Sequence, residues 1–180
     1  SPNANEVNVT FDSEVDPTTA YYVEATFTQN TSKTKHATAN YLSLYSTERF
    51  ESLYTYDGDD LGYSIDGEGN RVFKVWAPTA SSLAVKQYNY GQTSSLNTDT
   101  VTHPEYDYYS YSRMTYGDHG VWSLTLKPTS YGFYVYDVIT GGVESLVADP
   151  YAHAAGINGV RSALPSKEDW AAATPDGFAD

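Results

Sequence analysis

The chain of 180 residues has no cysteine. Disulfides, thiolate zinc sites and a cysteine nucleophile are excluded together. Such a composition accords with a cytoplasmic protein or with an exported bacterial one that folds without bridges, and of the two the exported location is the one expected. Basic residues are scarce: 10 Lys and Arg stand against 23 Asp and Glu, a formal net charge of −13. A nucleic acid or an anionic membrane needs a basic face, so neither is an expected partner. No apolar run approaches the roughly 20 residues that span a bilayer. No signal peptide, internal repeat or glycine-rich phosphate loop is legible. There is no GxSxG elbow, and His36, His103, His119 and His153 show no ligand spacing. No cofactor is therefore expected. The ends, SPNAN and PDGFAD, read as edges of a longer chain.

What is abundant is tyrosine. Hydrophobic residues make up 40% of the chain and aromatics 15%, with 18 tyrosines. Tyrosine suits strands, and it suits flat surfaces that meet sugars or proteins. The apolar residues mostly alternate. Val7, Val9 and Phe11 share one face, Tyr21, Val23, Ala25 and Phe27 a second, and Leu42 with Leu44 a third. The polar stretch QNTSKTKHATAN between the last two has no apolar period and predicts a loop. It includes Asn30, which with Asn8 matches the short glycosylation pattern. STERFESLY predicts a short helix capped by Ser46 or Thr47, with Phe50 and Leu53 on one side.

From Arg71 onward the strand signal is dense. In RVFKVWAPTA, Phe73, Val75 and Ala77 oppose Val72, Lys74 and Trp76, and Pro78 ends the strand. Leu83 and Val85 pair in SSLAVKQY. YDYYSYSRMTY predicts one tyrosine-rich strand over 106–116. GDHG is a turn, and VWSLTL puts Trp122, Leu124 and Leu126 on one side. YGFYVYDVIT is apolar on both faces and reads as a central strand. Gly141-Gly142 makes a two-residue hairpin turn. Ser166 and Asp169 have capping-box spacing before a final helix, which Pro175-Asp176-Gly177 ends. Many short strands separated by turns indicate an all-β fold, an antiparallel β-sandwich.

Three features offer chemistry. In YTYDGDDLG, Asp57, Asp59, Gly62 and Glu68 fall at positions one, three, six and twelve of a calcium loop. Leu61 at position five supplies no side-chain oxygen, and strand follows where helix should, so a turn stabilised by aspartates is the competing reading. A glycosidase pair needs two carboxyl groups about 5–10 Å apart across a cleft, and adjacent turn residues do not form one. Ring faces are the third feature. Trp76, Trp122, Tyr108, Tyr109 and Tyr111 are the candidate ligand-binding residues, because the C–H faces of glucans stack on aromatic rings. Trp122 shares its face with Leu124 and Leu126, which makes a core role its main alternative.

YTYDGDDLG, FKVWAPTASSLAV, GVWSLTL, YGFYVYDV and ADPYAHAAGINGVRS follow one another in the order of a known family. Over residues 50–162 the chain resembles the family-48 carbohydrate-binding module of type I pullulanases, debranching enzymes of the α-amylase clan. The resemblance implies an immunoglobulin-like sandwich beside a catalytic (β/α) barrel that cleaves α-1,6 linkages with an aspartate and a glutamate. A segment similar to YNWGYDP and the nucleophile and acid/base segments are absent, so no catalytic residue is carried over. After VRS the family runs into an apolar strand, whereas here ALPSKEDWAAATPDGF follows. The expected organisation is a small β-segment over 1–49, the sandwich over 50–165, and a linker with a short helix over 166–180. The expected role is non-catalytic: packing on the barrel and holding α-glucan. The alternatives are a freestanding glucan-binding or regulatory module and a purely structural domain.

Overall fold

The computed structural model describes residues 12–26, 34–38, 44–96 and 102–173. Two antiparallel sheets face each other. One has the order β10-β9-β5-β6, with β11 also on β9; the other runs β3-β4-β8-β7. The five-stranded sheet comprises β5 (Ala80–Tyr88), β6 (Tyr109–Arg113), β9 (Phe133–Thr140), β10 (Val143–Val147) and β11 (Ser162–Ala163). The four-stranded sheet comprises β3 (Gly62–Ile65), β4 (Arg71–Trp76), β7 (Thr115–Tyr116) and β8 (Val121–Leu126). This is the immunoglobulin-like β-sandwich expected, with β9 in the centre of its sheet.

Alternation along the strands builds the core. Phe73, Leu83, Val85, Tyr134 and Tyr136 are almost entirely buried between the layers, and Trp122 and Leu164 join them. Each such side chain contributes about 1.5–3 kcal/mol on leaving water, so this layer dominates the stability. Two of its members are tyrosines whose hydroxyls need partners. Tyr134 donates to Asp149 Oδ2 at 2.5 Å and Tyr136 donates to the same oxygen at 3.2 Å. Desolvation, with the carboxylate beside them, pushes both phenols far above their ordinary range.

Turn chemistry sets the register. Gly141 and Gly142 both have positive φ, 59° and 79°, as a tight hairpin between β9 and β10 requires. Gly62, at φ 98°, lies so close to the 148–152 segment that an added Cβ would meet the Tyr151 carbonyl at 2.9 Å. The expected short helix is α1 (Glu48–Tyr54), where Thr47 Oγ1 accepts from the Phe50 amide. The capping box at the chain's end is present before α2 (Lys167–Ala173). The Ser166 amide donates to Asp169 Oδ2, and the Asp169 amide to Ser166 Oγ.

Three expectations are corrected. The polar stretch read as a loop contains β2 (Thr34–Thr38), paired antiparallel with β1 (Tyr22–Thr26). Pairing with β1 satisfies its backbone groups along one edge, and the side chains of residues 34–37 stay in water, so no apolar period marks it. Leu44 begins a 3-10 turn, Leu44–Ser46, rather than belonging to a strand. The single strand expected over 106–116 is divided. Pro104–Asp107 is a 3-10 turn, β6 pairs with β5, and β7 pairs with β8 in the opposite sheet. The chain changes layers at Met114, which is buried and donates its amide to Leu83 O at 2.9 Å. The strand expected at Val7–Phe11, Phe27, Leu42, the two glycosylation-like asparagines and Pro175–Gly177 lie outside the described residues.

Candidate carbohydrate-binding face

Cross-strand register places three rows on the outer face of the five-stranded sheet. Tyr109 lies opposite Tyr88, which lies opposite Phe133; Tyr111 lies opposite Lys86, then Val135; Arg113 lies opposite Ala84, then Asp137 and Leu146. Residues directly opposite one another share a face. Lys86 and Asp137 form an ion pair at 2.8 Å, and their side chains are only 10% and 9% exposed. Their shielding comes from the rings: the Lys86 ammonium lies 4.8 Å from the Tyr109 centroid and 6.0 Å from that of Tyr111. Desolvation pulls the ammonium down, but the hydrogen bond and charge of Asp137 outweigh it and hold Lys86 above its ordinary value.

Arg161 closes one end of this face. It is 3% exposed, and its guanidinium stacks 3.6 Å from the Tyr88 centroid. Nη1 donates to the carbonyls of Tyr90, Gln92 and Tyr106, and Nη2 to Asp107 Oδ1. Burial pushes the Asp107 carboxyl up; hydrogen bonds from Ser94 and the Arg161 charge overcome this and hold it below its ordinary value. Between Arg161, Tyr88, Tyr109, Lys86, Val135 and Leu146 lies a groove of 280 Å³. Of its two rings Tyr88 is covered by Arg161 and Tyr109 is half exposed, so Tyr109 supplies the open stacking surface, and its cations are paired with Asp137 and Asp107, which suits an uncharged polyhydroxyl ligand.

The carboxylates are not arranged for bond cleavage. Among the described residues only Asp137 and Asp149 are buried acids. Asp137 belongs to the outer face and is neutralised by Lys86. Asp149 is bound to Tyr134 and Tyr136, whose rings lie in the core. The two acids therefore open onto opposite sides of β9.

The sequence profile of carbohydrate-binding module 48 (isoamylase N-terminal domain) matches residues 60–152. This chain belongs to that family. Its module 48 is similar to part of a pullulanase from Bacillus subtilis (strain 168), 30% identical over 135 residues, which are 72% of this chain and 16% of that protein. Among solved structures it is similar to a pullulanase from Paenibacillus barengoltzii in complex with maltohexaose and alpha-cyclodextrin. The identity is 31% and the TM-score 0.57, over 74% of this chain and 18% of that one. A pullulanase from Anoxybacillus sp. LM18-11 complexed with maltotetraose gives 29% and 0.53, over 66% and 15%. The chain thus spans under a fifth of these relatives.

Within the module the aromatic candidates separate. Tyr109 and Tyr111 come together on the outer face, 50% and 46% exposed. Tyr108 is also exposed but precedes β6 and has the opposite alternation. Trp122 is 7% exposed, sits in the core and donates its indole N–H to Ala77 O, so as a ligand platform it is corrected to a core residue. Trp76 is half-buried against Phe50 and donates its indole N–H to the carbonyls of Tyr54 and His119. It secures α1 to the sandwich. Lys86, Tyr88, Leu146 and Arg161 were missed. Each reads in sequence as an ordinary strand or loop residue, and only pairing between distant strands brings them together.

The aspartates resolve by partner. Asp60 accepts from Lys74 and Tyr56, and those bonds hold it below its ordinary range. Asp66, which the sequence did not single out, organises the β3–β4 turn through the amides of Glu68 and Asn70 and the Asn70 side chain. Glu68 accepts from that same side chain at 3.3 Å. Among the described residues no group of three or more His, Asp or Glu could hold a metal. The calcium alternative of Asp57, Asp59 and Glu68 is therefore not assembled.

Proposed function

We propose that this chain is the non-catalytic accessory region of a pullulanase-like glycoside hydrolase acting on α-1,6 linkages of pullulan, glycogen or starch. The module packs on a catalytic barrel of the same protein and holds α-glucan through Tyr109 and Tyr111. The observation that carries this reading is their pairing around the neutralised Lys86–Asp137 couple, at the edge of a groove lined by Tyr88. The opposed placement of the two buried acids supports a non-catalytic role. Affinity is weak, because a shallow groove buries little area against the cost of association. The boundaries proposed are 1–49, 50–165 and 166–180 for the small β-segment, the sandwich and the linker.

One observation favours the packing role independently. All of β10 is exposed on a sheet edge, with Val143, Leu146 and Val147 in water. Electrophoresis in gels with and without pullulan tests the sugar-holding role. The polymer should retard the chain, and Tyr109→Ala/Tyr111→Ala should abolish the retardation. Unchanged mobility of the parent chain would leave packing alone. Reducing sugar released from pullulan by the pure chain would sink the non-catalytic reading.

A further inference from the structure

A second aromatic cleft lies away from the outer face. It has a volume of 370 Å³ and is lined by Asp16, Thr18, Tyr54, Ala80, Ser81, Tyr116 and Trp122. It forms where the segment before β1 crosses the sandwich. Its floor is Trp122 and Ala80, both buried. Tyr116, on the edge strand β7, packs edge-to-face on Trp122 with centroids 5.1 Å apart, and is itself 41% exposed. It shares no lining residue with the groove between Tyr88 and Leu146.

We propose that this cleft is a separate contact for one ring or a chain end of a neutral α-glucan, with Tyr116 as the stacking surface. The proposal rests on the reading that the chain engages α-glucan at all, and it adds a second place where it does so. The lining chemistry selects the ligand. Thr18 and Ser81 already donate their hydroxyls to Asp16 Oδ1 and Ile139 O, and the Tyr54 and Tyr116 phenols bond each other, so what these groups offer a sugar is chiefly acceptor lone pairs for its hydroxyl protons. Burial and the neighbouring Tyr54 push the Tyr116 phenol up to about 12, so it remains a donor at neutral pH. Asp16 stays ionised: Thr18 donates to Oδ1 through its amide and hydroxyl, and Thr19 Oγ1 donates to Oδ2. No lining residue is a cation, so this carboxylate rejects sugar phosphates and uronic acids. The volume lies near the lower end of small-molecule sites, about 300–1,000 Å³, which limits the occupant to one or two rings. The floor is rigid, because the Trp122 indole is fixed to Ala77 O at 3.0 Å.

Titrating the ¹⁵N-labelled chain with maltotriose, read by amide and indole chemical shifts, tests the site. Saturable shifts are expected at Tyr116, Ser81 and the Trp122 indole. Tyr116→Ala should weaken those by about tenfold, the scale of one lost ring contact, while shifts at Lys86 and Tyr109 persist. Ser81→Phe fills the cleft from an exposed lining position, at the cost only of the Ser81 Oγ–Ile139 O hydrogen bond, and should do the same if Tyr116→Ala fails to fold. Shifts at the outer face alone would overturn the cleft and leave the first reading intact. Cleft shifts that survive Ser81→Phe, or an equal response to glucose 6-phosphate, would also overturn it. No shift anywhere would sink both.

Discussion

Arg161 is the side chain whose loss the fold should feel most sharply. It satisfies three backbone carbonyls at 2.8, 2.6 and 2.7 Å, pairs with Asp107 at 3.1 Å and covers the Tyr88 ring. All three carbonyls lie on the connection from β5 to β6, so one guanidinium ties that loop down. Hydrogen bonds to a charged group are worth about 1.5–3 kcal/mol each, but the four share one cation and do not add. The Asp107 side chain is 45% exposed, which leaves its ion pair worth only about 0–1 kcal/mol. Arg161→Ala should therefore cost about 3–5 kcal/mol, because it strands three carbonyls at about 1–3 kcal/mol each, part of which water recovers. That is a large share of the ~5–15 kcal/mol that holds a domain. With a urea slope near 2 kcal/mol/M, the unfolding midpoint should fall by about 1.5–2.5 M. Arg161→Lys keeps the charge but loses the planar fork and the stack, and should recover about half of the deficit. Asp107→Asn should move the midpoint by less than about 0.5 M. A similarly small shift for Arg161→Ala would refute the latch.

Two further predictions concern the remaining anchors. Trp76→Ala removes an indole that holds Tyr54 O and His119 O and packs on Phe50. It should cost about 2–4 kcal/mol, and a melting temperature unchanged in calorimetry would refute that role. Asp66→Ala unmakes the β3–β4 turn. Asn70 holds the Asp66 carboxyl below its ordinary 3.8, so the folded value is the depressed one. Its contribution is full above the unfolded value and vanishes as pH falls through the folded one. The midpoint difference between parent and variant should thus be constant from pH 7 to pH 5 and shrink toward pH 2. A difference that grows on acidification would reverse the sign and the reasoning.

Alternation in the sequence determined the sandwich, because a side-chain period of two decides which residues enter a core wherever one face is dry. Phe73 with Val75, and Leu83 with Val85, show this directly. Caps and turns were equally legible, since Thr47, Ser166 with Asp169, and Gly141-Gly142 act on backbone groups within a few residues. Where both faces are wet, as in β2, no period forms and the strand was invisible. Only the tertiary structure decided how Tyr106–Tyr116 divides between layers, since tyrosine fits either sheet. It alone made Trp76 and Trp122 structural, by aiming each indole N–H at a carbonyl remote in sequence. The candidate sugar-binding face was half legible: Tyr109 and Tyr111 stood out as exposed-type aromatics. Lys86, Asp137, Tyr88 and Arg161 did not, because their roles come from pairing across β5, β6 and β9 and from a loop more than fifty residues away. Local forces write themselves into neighbouring residues, whereas the contacts that furnish a surface are set by which strands happen to meet.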